Sequence, residues 1–476
     1  MLDALEQAWH AVMAIPHLGL YLTVGWISYL VGLGGWIVLQ KREPAATLSW
    51  LMGLALLPYV GFAVYYVFGP QKIRRQRQRR LRARATLPAA VHKVDDEAHE
   101  LIQLGQAATG LPQGTATQVR LLIDGAAKYQ ALLADVAAAQ EHIHLEYYIY
   151  HPDRTGTALR DALVERARAG VKVRLLLDAV GSGKCTRPFF ASLLEAGGEL
   201  AWFHPVRLWK VWQRPWLNLR THRKIVVIDG RIAYTGGINI TDEEDERLRD
   251  DAYRDLHLRL EGGTVQSLQQ VFLEDWAYAN DEVLQIPAPP QSPPGPIPAQ
   301  VLISGPDSRW EAIHRIYVGA IHAAERRVWL ITPYFVPSEA AMMALTSAAL
   351  GGLDVRVLLP EKSDSRVVTQ AARSYFDTLL AAGVRIYEYG PRLMHSKALL
   401  VDDDMAIIGS ANFDHRSFRL NFEVSMLFND ATVAADLARL IEGEFAVATQ
   451  VRDDRSRSLW RHRLPESVAR LFSPLL

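Results

Sequence analysis

The chain opens with two uninterrupted apolar runs. Residues 18–39 and 47–69 contain no charged side chain. Each run exceeds the roughly 20 residues a helix needs to cross a bilayer core. Trp26, Trp36, Trp50, Tyr59, Tyr65 and Tyr66 add the amphipathic aromatics that favour membrane interfaces. The polar connector 40–46 suits a hairpin turn. A cleaved signal peptide would show a basic start and a shorter apolar stretch. This start is acidic, with Asp3 and Glu6. The pattern therefore predicts an N-terminal transmembrane helical hairpin over 1–70.

Past a polar, alanine-rich connector (71–118), the pattern becomes that of a globular α/β chain, and it occurs twice. An amphipathic helix (128–140; 311–324) leads into an aromatic-rich strand (142–150; 327–336). A second helix follows (157–169; 338–350), then a continuous apolar strand (170–178; 352–360). A third helix ends at glycine (193–198; 379–383). Apolar runs bracketed by helices argue for a sheet covered on both faces. The expectation is two tandem α/β sandwich domains, 119–285 and 301–476, each around a mixed, largely parallel sheet and related by pseudo-twofold symmetry. Between them, 286–300 carries seven prolines and reads as a linker.

Composition narrows the picture. Of 476 residues, 49% are hydrophobic and 22% charged, which excludes a disordered chain. A single cysteine, Cys185, excludes an internal disulfide and a cysteine-rich zinc site. The net charge is zero, but residues 71–84 hold eight cations and no acid. That block places the C-terminal part on the cytoplasmic side by the positive-inside rule. It also suits anionic lipid headgroups. Elsewhere acids outnumber bases, so no nucleic-acid partner is expected.

The strongest chemical signal closes each copy. Residues 221–239 read THRKIVVIDGRIAYTGGIN, and 394–412 read MHSKALLVDDDMAIIGSAN. Both fit H-x-K-x(4)-D-x(6)-G-[GS]-x-N. The pairs are His222/His395, Lys224/Lys397, Asp229/Asp402 and Asn239/Asn412. Residues 222–228 and 395–401 are strand-like, and the next segment folds back as a hairpin. Displacement at a phosphodiester needs a nucleophile, an acid for the leaving group and positive charge over the anionic oxygens. One copy supplies half of this set, and the duplication supplies the rest. Lysine and asparagine side chains carry the charge, so no metal is expected.

Asp229 and Asp402 complete the motif and stay in the candidate catalytic set. They occupy turn positions where aspartate is common for local reasons, which favours a supporting role. Asp255 and Glu423, on the strand after each hairpin, are better placed to orient an imidazole. Softer candidates for the pocket mouth are His144, Glu146, Tyr148, Thr332 and Tyr334. The glycine-rich loop 180–185 lacks a full phosphate-loop pattern. The tryptophan-rich stretch 208–216 reads equally as an interfacial or a buried loop.

These residues resemble the phospholipase D superfamily, and more closely the bacterial cardiolipin synthases. The resemblance rests on both motifs, KREPAATLSWLMGLALLP in the hairpin, DAVGSG, YRDLHLRLEG and NFEVS. It implies phosphatidyl transfer through a phosphatidyl-histidine intermediate, from one phosphatidylglycerol to another, without a cofactor, at the bacterial inner membrane. It implies His222 as nucleophile and His395 as acid and then base, although either imidazole could take either task. Phosphatidylethanolamine as donor, a hydrolase using water, a nuclease and a non-catalytic scaffold are the alternatives. The membrane hairpin and two complete motifs favour lipid-to-lipid transfer.

Overall fold

A computed structural model describes residues 16–38, 44–57, 60–61, 64–65, 100–204, 219–280, 282–284, 294–453 and 458–473. The basic block 71–84 and the stretch 208–216 lie outside the described residues.

In the N-terminal unit, helix α1 (Leu18–Val38) is long and apolar enough to cross a membrane, the one such helix among the described residues. Its 21 residues extend about 30 Å at 1.5 Å each. Helix α2 (Pro44–Leu56) packs on it around Ile37, Leu54 and Tyr65. Leu20, Val24, Ile27, Val31 and Met52 stay exposed, an apolar face that water does not favour. The second expected span is described as regular helix only from 44 to 56, so the hairpin is seen in part.

Among the remaining described residues there are two large sheets and one two-stranded sheet. The strands before the proline-rich stretch are, in chain order, β1 (Gln113–Ala116), β2 (Gln118–Ile123), β3 (His142–Tyr147), β4 (Lys172–Asp178), β5 (Glu199–Phe203), β6 (Arg220–Thr221), β7 (Ile225–Ile228), β8 (Ile232–Gly236) and β9 (Leu256–Glu261). The second copy contributes β10 (Ile297–Ser304), β11 (Arg327–Ile331), β12 (Phe335–Val336), β13 (Asp354–Pro360), β14 (Arg385–Tyr389), β15 (Ala398–Val401), β16 (Met405–Gly409), β17 (Phe413–Asp414), β18 (Asn421–Asn429) and β19 (Thr449–Gln450). One sheet has the order β2-β9-β8-β7-β3-β4-β5. The other contains β10-β18-β16-β15-β11-β13-β14 in that order. The repeat in sequence is thus a repeat in topology. Strand β1 pairs with β10, so a strand preceding the first copy edges the second copy's sheet, and β10 takes up the end of the proline-rich stretch.

The sheets are mixed but not largely parallel, which corrects the expectation. Short β6 pairs parallel with β18, and β12 with β17, but along the two main sheet orders only β3-β4-β5 and β11-β13-β14 run parallel. Helical crossovers join those strands, as parallel pairing demands. The motif hairpins β7-β8 and β15-β16, and the returning β9 and β18, are antiparallel.

Helices pack on both faces of the sheets. In the first copy, α3 (Glu100–Thr109), α4 (Asp124–Ala138), α5 (Arg154–Arg168), α6 (Ala191–Glu195) and α7 (Thr264–Asn280) follow in chain order. In the second, α8 (Ala312–Ala323), α9 (Glu339–Leu350), α10 (Arg366–Arg373), α11 (Phe376–Ala381), α12 (His415–Arg419), α13 (Ala431–Val447) and α14 (Leu464–Arg470) do so. Strand alternation divides the cores. In β7, Val226 and Ile228 face the outer core with α4 and α5, while Ile225 and Val227 face an inner core. The inner core joins both sheets with α7 and α13 and so cements the two copies.

Arg223, the middle residue of the first H-x-K, is fully buried in this junction. Its guanidinium pairs with Asp275 of α7 and donates from Nε to the Glu423 carbonyl at 3.1 Å. Removing one member of a buried pair strands the other charge. Arg223→Ala should therefore lower stability by about 3–5 kcal/mol, read as a fall in the denaturation midpoint of the detergent-solubilised chain.

Candidate active site

The H-x-K residues are not in strand, contrary to expectation. Residues 222–224 and 395–397 are extended but irregular, and β7 and β15 begin only after them. The reason is where their N–H groups go. His222 N–H donates to the Phe422 carbonyl at 2.9 Å, and His395 N–H to the Arg254 carbonyl at 2.7 Å. Each motif is hooked onto the other copy, next to the residue that will orient its imidazole.

His222 Nδ1 lies 3.0 Å from Glu423 Oε2, and His395 Nδ1 lies 2.6 Å from Asp255 Oδ2. The expected carboxylates are present, but each serves the histidine of the opposite copy. A carboxylate accepts only, so each Nδ1 carries the proton and each Nε2 is left free. Lys397 Nζ also lies 2.8 Å from His395 Nδ1. An ammonium has only donors, so it donates to the His395 carbonyl and forms an ion pair with Asp255, 3.6 Å away. Lys224 donates to the His222 carbonyl at 2.7 Å.

His222 and His395 line one cavity of about 420 Å³, together with Asn239 and Asn412. Both lysines lie buried beneath this lining. Tyr148 stands edge-on to His222 at 4.9 Å, and Tyr253 leans on His395 at 5.4 Å. The two members of the G-[GS] pair differ for a reason. A side chain at Gly237 would fall 2.1 Å from Asp255 Oδ1, whereas Ser410 Oγ donates to Glu423.

Burial dominates the electrostatics. It brings His222 down to about 4, helped by Lys224 and Lys397 and opposed by Glu423. It brings Lys224 down to about 7, with Lys397 adding repulsion. Burial alone would raise Asp255 and Glu423, but Lys397 and His395 hold the first below the usual range, and His222 and Lys224 the second. At neutral pH the pattern is ionised carboxylates and a neutral His222.

Asp229 and Asp402 do not reach the cavity, which removes them from the candidate catalytic set. Four residues separate each from its lysine, five steps of extended chain or about 16 Å. Both take left-handed backbone, φ 52° and 51°. Asp229 accepts from the N–H groups of Gln140, Glu141 and His142, and Asp402 from those of Glu325, Arg326 and Arg327, at 2.7–3.0 Å. They cap the entry to β3 and β11.

Among the softer candidates, Tyr148 and Tyr334 line the cavity. His144 does not: Phe272 stacks on it and Gln269 donates to it at 2.8 Å. Glu146 is buried against Thr221. Thr332 ties two backbone groups, Tyr334 O and Phe413 N. In the 180–185 loop, Ser182 and Cys185 bond the backbone of Tyr148 and Tyr150 and so support the Tyr148 strand.

Three kinds of residue escaped the sequence reading. Lys128 is fully buried and donates to the Asn239 carbonyl at 2.9 Å. Its signal was a lone lysine in the α4 stripe with Leu132 and Val136, at helical spacing. Arg220 and Arg416 line the cavity and had no pattern to mark them. Glu244 lies five residues after Asn239, within an acidic run. Its Oε1 accepts from Asn239 Nδ2 at 2.7 Å and from Asn239 N at 3.1 Å. Glu244, Asp255 and His395 each offer a ligand atom within 4.8 Å of the others. Lys397 beside Asp255 already supplies a cation there.

Two like-ordered sheets that bring two H-x-K motifs to one cavity define a phospholipase D-like fold. Residues 132–276 and 317–445 match the family model described as cardiolipin synthase, PLD-like domain. Residues 29–70 match that of the phospholipase D-nuclease N-terminal segment. The chain is 40% identical over 463 residues to cardiolipin synthase 2 of Bacillus anthracis, covering 92% of this chain and 88% of that one. It is 40% identical over 462 residues to the cardiolipin synthase of Geobacillus kaustophilus, covering 92% and 91%. Among solved structures, phosphatidylserine synthase of Haemophilus influenzae superposes with a TM-score of 0.60 at 14% identity, over 79% of this chain and 100% of that one. That likeness concerns the fold. The chain belongs to the cardiolipin synthase family.

Two measurements check the geometry. Asp402→Ala loses three N–H bonds and leaves alanine in a left-handed turn, so stability should fall by about 2 kcal/mol while kcat changes less than about threefold. In the pH profile of kcat/KM, the acid limb should lie near 4, where His222 becomes protonated and stops being a nucleophile. The alkaline limb should lie near 7, where free-enzyme Lys224 loses its charge.

Proposed function

We propose that the chain makes cardiolipin and glycerol from two phosphatidylglycerols by double displacement at this single cavity. The observation that carries the reading is the crossed clamping of both imidazoles, which leaves two Nε2 atoms for one reacting phosphorus. His222 Nε2 attacks phosphorus, and the bond to the leaving glycerol oxygen breaks. His395, carrying a second proton on Nε2, gives it to that oxygen and is left neutral. In the second half, the hydroxyl of another phosphatidylglycerol attacks, the P–N bond breaks, and the proton returns to His395. Lys224 and Lys397 act from beneath the lining, where a low dielectric strengthens their pull on the phosphoryl oxygens. Asn239 and Asn412 bind the same oxygens. The assignment of nucleophile follows from burial and two lysines holding His222 neutral.

The same reading sets the N-terminal segments in the bacterial inner membrane. Helix α1 and the run 47–69 span it as a hairpin, and the basic block keeps the catalytic part on the cytoplasmic face. Both lipid substrates are then confined to the plane where the cavity works.

Incubation of the chain in vesicles of phosphatidylglycerol, with products resolved by mass spectrometry, tests this. Cardiolipin and glycerol should appear, and phosphatidic acid as sole product would defeat the proposal. His222→Ala and His395→Ala should each cost about 10³-fold or more in kcat, and the double variant little beyond either single one, because the two act as a unit. A phosphorylated lipid adduct should survive on His395→Ala and be absent from His222→Ala. The reverse pattern would exchange the two roles.

A further inference from the structure

The two half-sites match closely until the fifth residue after each asparagine. In both, that residue accepts the asparagine's backbone N–H: Glu244 Oε1 from Asn239 at 3.1 Å, Ser417 Oγ from Asn412 at 3.2 Å. One half therefore places a carboxylate where the other has a hydroxyl. Glu244 is 1% exposed and lines the cavity. Its Oε1 is spent on Asn239, while its Oε2 has no hydrogen-bond partner. An unsatisfied buried acceptor is costly and calls for an occupant with a proton to give.

The charges around the cavity differ between its two sides. Arg220 and Arg416 are felt at Tyr148, the neighbour of His222, and are opposed there by Asp178 and Glu423. Glu243, Glu244 and Asp364 are felt at Tyr253, the neighbour of His395. The arginines of the first side can pair with a phosphodiester, and the acids of the second cannot. A neutral, hydroxyl-rich group suits the second.

We propose that Glu244 forms a hydroxyl-binding subsite for the polyol that leaves from, and then enters at, the His395 side of the cavity. The proposal rests on the phosphatidyl-transfer reading. The hydroxyl held by Oε2 is the neighbour of the reacting one. It keeps its proton throughout, while the reacting hydroxyl exchanges its own with His395 as the P–O bond breaks or forms. Glu244 thereby selects a vicinal diol over water or a simple alcohol.

The test uses the full chain in phosphatidylglycerol vesicles, with 1,2-propanediol or 1-propanol as added acceptor. These differ by one hydroxyl. The wild-type chain should favour the diol in kcat/KM by about fivefold, the worth of one hydrogen bond. In Glu244→Gln, which replaces an acceptor by a donor at Oε2, the ratio should fall to near one. Glu244→Ser, matching the other half, should do the same and stands in if the glutamine variant forms no phosphatidyl-histidine adduct. A wild-type chain without diol preference, or variants that keep the ratio while losing rate with both alcohols, would overturn the subsite and leave a packing role. Failure of the wild-type chain to form either phosphatidyl alcohol would instead defeat the transfer reading itself.

Discussion

Everything at this site depends on a crossed pair of contacts. His222 leans on Glu423, and His395 on Asp255, each reaching from one copy into the other. The backbone makes the same exchange through the N–H groups of the two histidines. Neither copy could orient its own imidazole, because its carboxylate is committed elsewhere. Two copies packed together are thus a structural requirement, and the inner core built from both sheets with α7 and α13 keeps the exchange in register.

This junction buries more charge than a soluble core normally tolerates. Lys128, Lys224 and Lys397 face Glu244, Asp255 and Glu423, all at 1% exposure or less. The balance of signs makes the burial tolerable, yet it leaves Lys224 weakly basic. An incoming phosphodiester adds the negative charge that such a lysine lacks. Substrate binding therefore completes the electrostatics of the cavity, and the lysines need not touch the lining to do so. Their pull grows as water leaves.

The repeat, the α/β class and the pairing of histidines, lysines and asparagines were legible because each rests on local periodicity or on motif spacing. Cavity membership was not. His144 and Glu146 sit on a strand next to the motif strand, but alternation and α7 turn them away from substrate. The motif aspartates are fixed in sequence spacing to the lysines, and the rise of an extended chain is what carries them to the far end of β7 and β15. Sheet direction was misread for a related reason. Helix-bracketed apolar strands signal parallel pairing, and the hairpin strands that outnumber them carry no such flank. The crossing of the carboxylates is a fact of quaternary-like packing within one chain, and no single-copy pattern encodes it.

Duplication also explains why the halves drift apart at particular positions. Gly237 and Ser410 differ because a short aspartate needs room where a longer glutamate can take a hydroxyl donor. Glu244 and Ser417 differ at a position with the same backbone duty. A double displacement asks different things of its two imidazoles. One must stay neutral beside an anionic phosphate, and the other must trade protons with an alcohol. The lining arginines Arg220 and Arg416 act near Tyr148, and Glu243, Glu244 and Asp364 near Tyr253, so the two demands meet different side chains. A symmetric ancestor would bind a phosphodiester equally in two directions. The departures from symmetry give the reaction one direction across the cavity.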